Sequence, residues 1–154
     1  MTKDELYTFF HDSGIVPVVK IDDAEKAVPL AKAMIEGGIN SAEITFRTAA
    51  AEEAIRKVTA AFPKMVVGAG TVINPQLAEK AVAAGAKFIV SAGFNKDTVA
   101  WCLSHNIPVV PGVCTPSEIE MGLSMGLNVL KFFPASCPPP GSPDAPSSTW
   151  ATPY

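Results

Sequence analysis

The sequence predicts an α/β fold: a (β/α) barrel of the TIM type in which about six of the eight βα units are present. Three observations point there. Short runs rich in β-branched and aromatic residues alternate strictly with helical stretches, and a new strand starts roughly every 20–26 residues. The phrase helix, glycine, strand recurs at Glu36-Gly37-Gly38-Ile39, Ala84-Gly85-Ala86-Lys87 and Met125-Gly126-Leu127-Asn128. Strict alternation demands a parallel sheet with helical crossovers, and no Gly-x-Gly-x-x-Gly turn follows the first strand, which favours a barrel over an open doubly wound sheet.

Residues 2–13 read as a short amphipathic helix with Leu6, Phe9 and Phe10 on one side, ended by Gly14. Residues 15–20 form the first strand. Asp22 or Asp23 can cap the helix that follows to Ile35, with a kink expected at Pro29 and a stop at Gly37-Gly38. The second strand covers 40–46 and its helix about 49–62. The third strand, 65–69, leads through Gly70-Thr71 to a helix capped by Asn74, with Pro75 in its first turn. Strand four is 87–90, followed by Ser91-Ala92-Gly93 and a helix over about 96–105. Strand five, 108–110, is broken by Pro111-Gly112. Thr115-Pro116-Ser117-Glu118 opens the next helix with a capping box, and Gly126 ends it. The sixth strand is Asn128-Val129-Leu130-Lys131-Phe132-Phe133-Pro134.

The 154 residues are 48% hydrophobic with a net charge of -3, enough apolar material for one soluble domain with a real core. Mild acidity offers no footprint for nucleic acid or an anionic membrane. The apolar runs are too short and too broken to span a bilayer. Asp4 and Glu5 argue against a secretory signal. Cys102, Cys114 and Cys137 are odd in number and lack metal-ligand spacing, so they read as free thiols in a cytoplasmic protein. His11 and His105 read as surface residues.

The sixth strand carries the chemistry. A lysine inside an apolar strand is costly, because burial disfavours the ammonium form. A shift from the reference of about 10.4 toward about 7 corresponds to roughly 4 kcal/mol and leaves a neutral amine nucleophile. The competing reading is a strand-end lysine that snorkels to water. In a parallel barrel, chemistry sits at the C-terminal ends of the strands. Glu43, Thr45 and Arg47 are spaced by two and share one face of strand two, whereas Ala42, Ile44 and Phe46 face the helices. Thr71 follows strand three, Lys20 ends strand one, and Lys131 and Phe133 share a face of strand six. A lysine, a carboxylate, an arginine and a hydroxyl at one barrel mouth suit imine chemistry: amine attack on a ketone, proton shuttling by Glu43, and a two-pronged arginine contact to a substrate carboxylate. The protonated imine accepts electrons as a C–C bond breaks, so neither metal nor cofactor is called for. Glu43 could instead form only a structural bridge to Arg47, and Thr71 could simply end its strand.

At these residues the chain resembles the class I aldolases acting on 2-keto-3-deoxy-6-phosphogluconate and 4-hydroxy-2-oxoglutarate, the KDPG/KHG aldolases. The matching pieces are Ile15-Val16-Pro17-Val18-Val19, Ala42-Glu43-Ile44-Thr45-Phe46-Arg47-Thr48, Val67-Gly68-Ala69-Gly70-Thr71-Val72, Pro111-Gly112-Val113 with Thr115-Pro116-Ser117-Glu118, and Leu130-Lys131-Phe132-Phe133-Pro134-Ala135. Their order and spacing hold over roughly residues 5–135. The resemblance implies that Lys131 is the Schiff-base lysine and Glu43 the general acid/base. It implies that Arg47 and Thr71 bind the pyruvate carboxylate, that Phe133 packs on the pyruvyl group, and that Lys20 stands where some members carry a basic site residue. It further implies a cytoplasmic homotrimer serving the Entner–Doudoroff route or glyoxylate/hydroxyproline-type metabolism. Ser91-Ala92-Gly93 departs from the family's Ser-Pro-Gly turn.

Residues 1–135 are therefore expected to form the incomplete barrel domain. Residues 136–154, rich in Pro and Ser and free of Lys and Arg, are expected to be a disordered tail. By resemblance, the family's phosphate-binding Thr-Gly-Gly and Gly-Ser turns are missing, as if the last units had been replaced by an unrelated tail through a frame change or splice. Two further readings stand beside the aldolase: a non-catalytic remnant with two unpaired sheet edges, and a 2-keto acid decarboxylase using the same lysine.

Overall fold

A computed structural model describes residues 1–135 and the backbone of residues 150–151. The disordered-tail expectation otherwise lies outside the described residues. Helix α1 (Lys3–Ser13) begins with a capping box: Thr2 Oγ1 accepts the Glu5 N–H, and Glu5 Oε2 accepts the Thr2 N–H at 2.7 Å. It ends at Gly14, whose φ of 65° lies in the left-handed region that glycine enters without penalty. Strand β1 (Val18–Val19) is shorter than the apolar run suggests, because within the sheet it has only β2 (Ser41–Thr45) to pair with. Asp23 caps a 3₁₀ turn (Ala24–Lys26), and α2 (Ala27–Glu36) follows. This corrects the expected kink: Pro29 falls in the first turn of α2, where its missing N–H has no intrahelical partner to lose.

Next come α3 (Ala51–Ala61), β3 (Val66–Gly70), α4 (Pro75–Ala83), β4 (Ile89–Val90) and α5 (Lys96–Ser104). They are followed by β5 (Val109–Val110), β6 (Gly112–Val113), α6 (Pro116–Ser124), β7 (Leu130–Phe132) and β8 (Trp150–Ala151). Asn74, Asn95 and Thr115 accept the N–H groups of Leu77, Thr98 and Glu118, so three helices start on side-chain caps.

The strands form a parallel ladder in the order β1-β2-β3-β4-β5, and a second sheet in the order β6-β7-β8. Pro111 is all that separates β5 from β6. Val110 pairs with β4, Gly112 pairs with Lys131, and the Lys131 N–H donates to Pro111 O at 3.0 Å. The expected break at Pro111-Gly112 is thus a hinge within one strand, which hands the ladder on to β7. The result is a partial (β/α) barrel. On β7, Trp150–Ala151 adds an antiparallel partner. On β2, the hydroxyls of Ser41 and Thr45 donate to the carbonyls of Ile15 and Val19, and just beyond it Thr48 donates to Ile21, fastening the outermost strand and its flanks.

The core has two parts. Ala42, Ile44, Val67, Ala69 and Ile89 face outward against the helices. Inside the barrel, Val66, Phe88, Val90 and Val110 meet Leu6 on α1. Phe10 meets Phe88 edge-to-face at 5.1 Å between ring centroids. Full burial of one such side chain contributes roughly 1.5–3 kcal/mol. Helix α1 is therefore a stopper under the barrel, and Lys3 Nζ ties its start to Gly126 O at 3.0 Å.

Candidate active site

Above this apolar floor the interior turns polar. Glu43 sits in the middle of β2, between Ala42 and Ile44, which point to the helices, and it is 1% exposed. Its Oε1 lies 3.5 Å from Lys131 Nζ, and the Lys131 side chain is 19% exposed. Its Oε2 is buried and has no hydrogen-bond partner among the described residues. Burial raises the Glu43 carboxyl above the ordinary carboxylate range, against the opposing pull of Lys131 and then Arg47. The carboxyl therefore has a free oxygen and a raised proton affinity in the same place as an amine.

Arg47 and Thr71 meet: Arg47 Nε donates to Thr71 Oγ1 at 3.3 Å. Arg47 thus acts on Glu43 through its field and is hydrogen-bonded to Thr71. Thr71 holds a φ of 58°. A β-branched residue there stores strain of about 1–3 kcal/mol, a cost that concentrates at functional positions. Phe133 turns its ring toward Lys131, with the centroid 5.2 Å from Nζ, and stays 39% exposed. Lys20 does not join this group. Its Nζ pairs with Asp22 at 2.7 and 2.9 Å on the surface, an exposed ion pair worth no more than about 1 kcal/mol.

Sequence reasoning missed the two glycines of β3 that face this space, Gly68 and Gly70. Their signal was the alternation itself, since glycines two apart in a strand leave one face bare. A Cβ on Gly68 would lie 2.2 Å from the Phe88 ring, so Phe88 fills the room that Gly68 leaves. Among the described residues, no cluster of three His, Cys, Asp or Glu is placed to hold a metal ion, and no helix is long and apolar enough to cross a membrane.

Comparison with known proteins places this arrangement. A family model described as KDPG and KHG aldolase matches residues 8–139. A 2-dehydro-3-deoxy-phosphogluconate aldolase of Treponema pallidum is 49% identical over 121 residues, covering 79% of this chain and 58% of the relative. The chain thus spans less than two thirds of that relative's length. Among solved structures, the 2-keto-3-deoxy-6-phosphogluconate aldolase of Zymomonas mobilis with 3-phosphoglycerate superposes with a TM-score of 0.82 at 36% identity, over 87% of this chain and 64% of that one. The KDPG aldolase of Legionella pneumophila, with pyruvate captured as a covalent carbinolamine, gives 0.78 at 43% identity, over 80% of this chain and 60% of that one.

Proposed function

The chain belongs to the KDPG and KHG aldolase family, and from that premise we propose that it is a class I aldolase, a lyase that cleaves a 2-keto-3-deoxy-6-phosphogluconate- or 4-hydroxy-2-oxoglutarate-type aldol to pyruvate and an aldehyde. The observation that carries the proposal is the 3.5 Å approach of Lys131 Nζ to the buried Glu43 carboxyl. In this reading the Lys131 amine attacks the C2 ketone. Glu43 delivers the proton that lets the carbinolamine hydroxyl leave as water. The C4 hydroxyl of the resulting iminium gives its proton to the Glu43 carboxylate, the C3–C4 bond breaks, and its electron pair moves into the iminium to leave an enamine and a free aldehyde. Protonation at C3 and hydrolysis then release pyruvate and regenerate Lys131.

The remaining roles belong to the same proposal. Arg47 and Thr71, already joined by a hydrogen bond, hold the substrate carboxylate. The Phe133 ring faces the cation that forms at Nζ. Lys20 is an outer binder that exchanges Asp22 for substrate. A cytoplasmic homotrimer serving the Entner–Doudoroff route is the assembly and setting that go with it, and sedimentation velocity reads the subunit number. The Legionella relative, which holds pyruvate as a carbinolamine, supports the chemistry, because a carbinolamine is what an amine and a ketone make.

The test is incubation with pyruvate and borohydride, then intact mass and peptide mapping. A reduced pyruvate adduct on Lys131, absent in Lys131→Ala, is the expected result. A folded, soluble sample with no adduct would overturn the proposal.

A further inference from the structure

Glycine inside a strand is less stable than alanine there, because it gives up more freedom on folding, so Gly70 needs a reason for being where it is. Its space is already taken. A Cβ on Gly70 would lie 2.0 Å from Glu43 Oε1 and 2.7 Å from both Glu43 Cδ and Cγ. Real Cβ atoms do not come that close, and Glu43, 1% exposed, has no empty room to retreat into on the helix side, where Ala42 and Ile44 are packed. The Glu43 side chain therefore lies across the inner face of β3, over the position where any other residue would project. From that position its Oε1 lies 3.5 Å from Lys131 Nζ.

We infer that Gly70 is a positioning residue: its missing side chain is the seat in which the Glu43 carboxyl rests, and that seat sets the carboxyl's approach to Lys131. The constraint is steric and not electrostatic, so glutamine at position 43 would need the same seat. Alanine at 43 would not need it. As a claim about catalysis, the inference rests on the aldolase reading. As a claim about where the carboxyl sits, it does not.

The experiment is a cycle on the full chain. Thermal unfolding is measured for Gly70→Ala in three backgrounds: wild type, Glu43→Gln and Glu43→Ala. Gly70→Ala should lower the unfolding midpoint by at least about 3 °C in the first two, and the drop should vanish in Glu43→Ala. If Gly70→Ala alone fails to fold, recovery of folding by Glu43→Ala supports the inference equally. An equal drop in all three backgrounds, or none in the wild type, overturns it. The second readout is pyruvate trapping at Lys131. Gly70→Ala should slow it at least about tenfold and move its pH profile to lower pH, as the carboxyl is pushed toward water. An unchanged rate and profile in a folded Gly70→Ala protein would overturn the positioning role. If the unfolding cycle shows the coupling but the wild type traps no pyruvate, the aldolase reading fails and the seat for Glu43 stands.

Discussion

Lys131 Nζ lies 3.5 Å from Glu43 Oε1, although the two residues stand on β7 and β2. Between them the ladder runs through β3, β4 and the strand hinged at Pro111. At about 4.8 Å per strand, that path along the sheet is roughly 19 Å. Side chains bridge it only because the sheet curls, so the pair reports the curvature directly. The contact is a tertiary one, assembled from distant parts of the sequence, and any change that flattens the sheet separates amine from acid.

Stability should depend on pH through Glu43. Burial raises its folded-state proton affinity above the ordinary value of 4.5. The folded state therefore holds this proton more tightly than the unfolded chain. The associated stabilisation is fully present below that ordinary value and is lost as pH rises through the raised one. Relative to Glu43→Gln, the wild type should lose unfolding temperature as pH is raised from below 4.5 toward neutrality. Parallel pH curves for the two proteins would show that Glu43 is not desolvated.

Thr71→Gly should separate stability from binding. Glycine relieves the strain of the positive φ at this position, about 1–3 kcal/mol, and the greater freedom of the unfolded chain returns about 0.5–1 kcal/mol of that. The same change removes the hydroxyl that accepts from Arg47. The expected outcome is an unfolding temperature equal to or above the wild type's, with more pyruvate needed for half-maximal trapping. A clear fall in stability would mean that the hydroxyl, and not the backbone, dominates at this position.

Gly68→Ala should be severe, since the added methyl would sit 2.2 Å from the ring of fully buried Phe88. Overpacking of this kind costs about 1–3 kcal/mol or more. A second change, Phe88→Leu, should recover part of the loss, although Phe88→Leu alone destabilises by opening space. Denaturant midpoints of the four proteins check this, and additive losses would argue against the contact.

Thr45→Val tests the fastening of the first strand. The residue is fully buried, and its hydroxyl donates to Val19 O at 3.1 Å. Valine keeps the shape and removes the bond, so stability should fall by about 1 kcal/mol. Amide exchange across β1 should quicken more than exchange in β3. A uniform change across the sheet would place the effect elsewhere.

Much of this was legible in the sequence, for identifiable reasons. Asn74 and Thr115 were readable as caps because capping is local chemistry, and Thr2-Lys3-Asp4-Glu5 carried the same signal unread. Glu43 and Lys131 stood out because each is a charge at an inward position of an apolar strand. Strand lengths were less legible: β1 and β4 are shorter than their apolar runs, since a ladder extends only as far as its neighbours allow. The sequence ends the third strand before Gly70, yet Gly70 is the last paired residue of β3. What glycine makes room for belongs to another strand and cannot be seen from its own neighbours. Lys20 shows the opposite case: its partner Asp22 is only two residues away, so the contact its side chain makes in this structure is local.

The stopper helix has a consequence for the order in which the chain can assemble. Helix α1 is made before the strands it plugs, yet Lys3 binds the carbonyl of Gly126, 123 positions later, and Val129 packs against the inner cluster that holds Leu6. Helix α1 therefore has to wait for a much later stretch of chain before it can dock. Until then Leu6, Phe9 and Phe10 are apolar surface without a home, during the interval when a growing chain is most exposed to aggregation. Pulse-labelled exchange during refolding should find α1 among the last elements to become protected, and a chaperone that binds short aromatic stretches would find its target on α1.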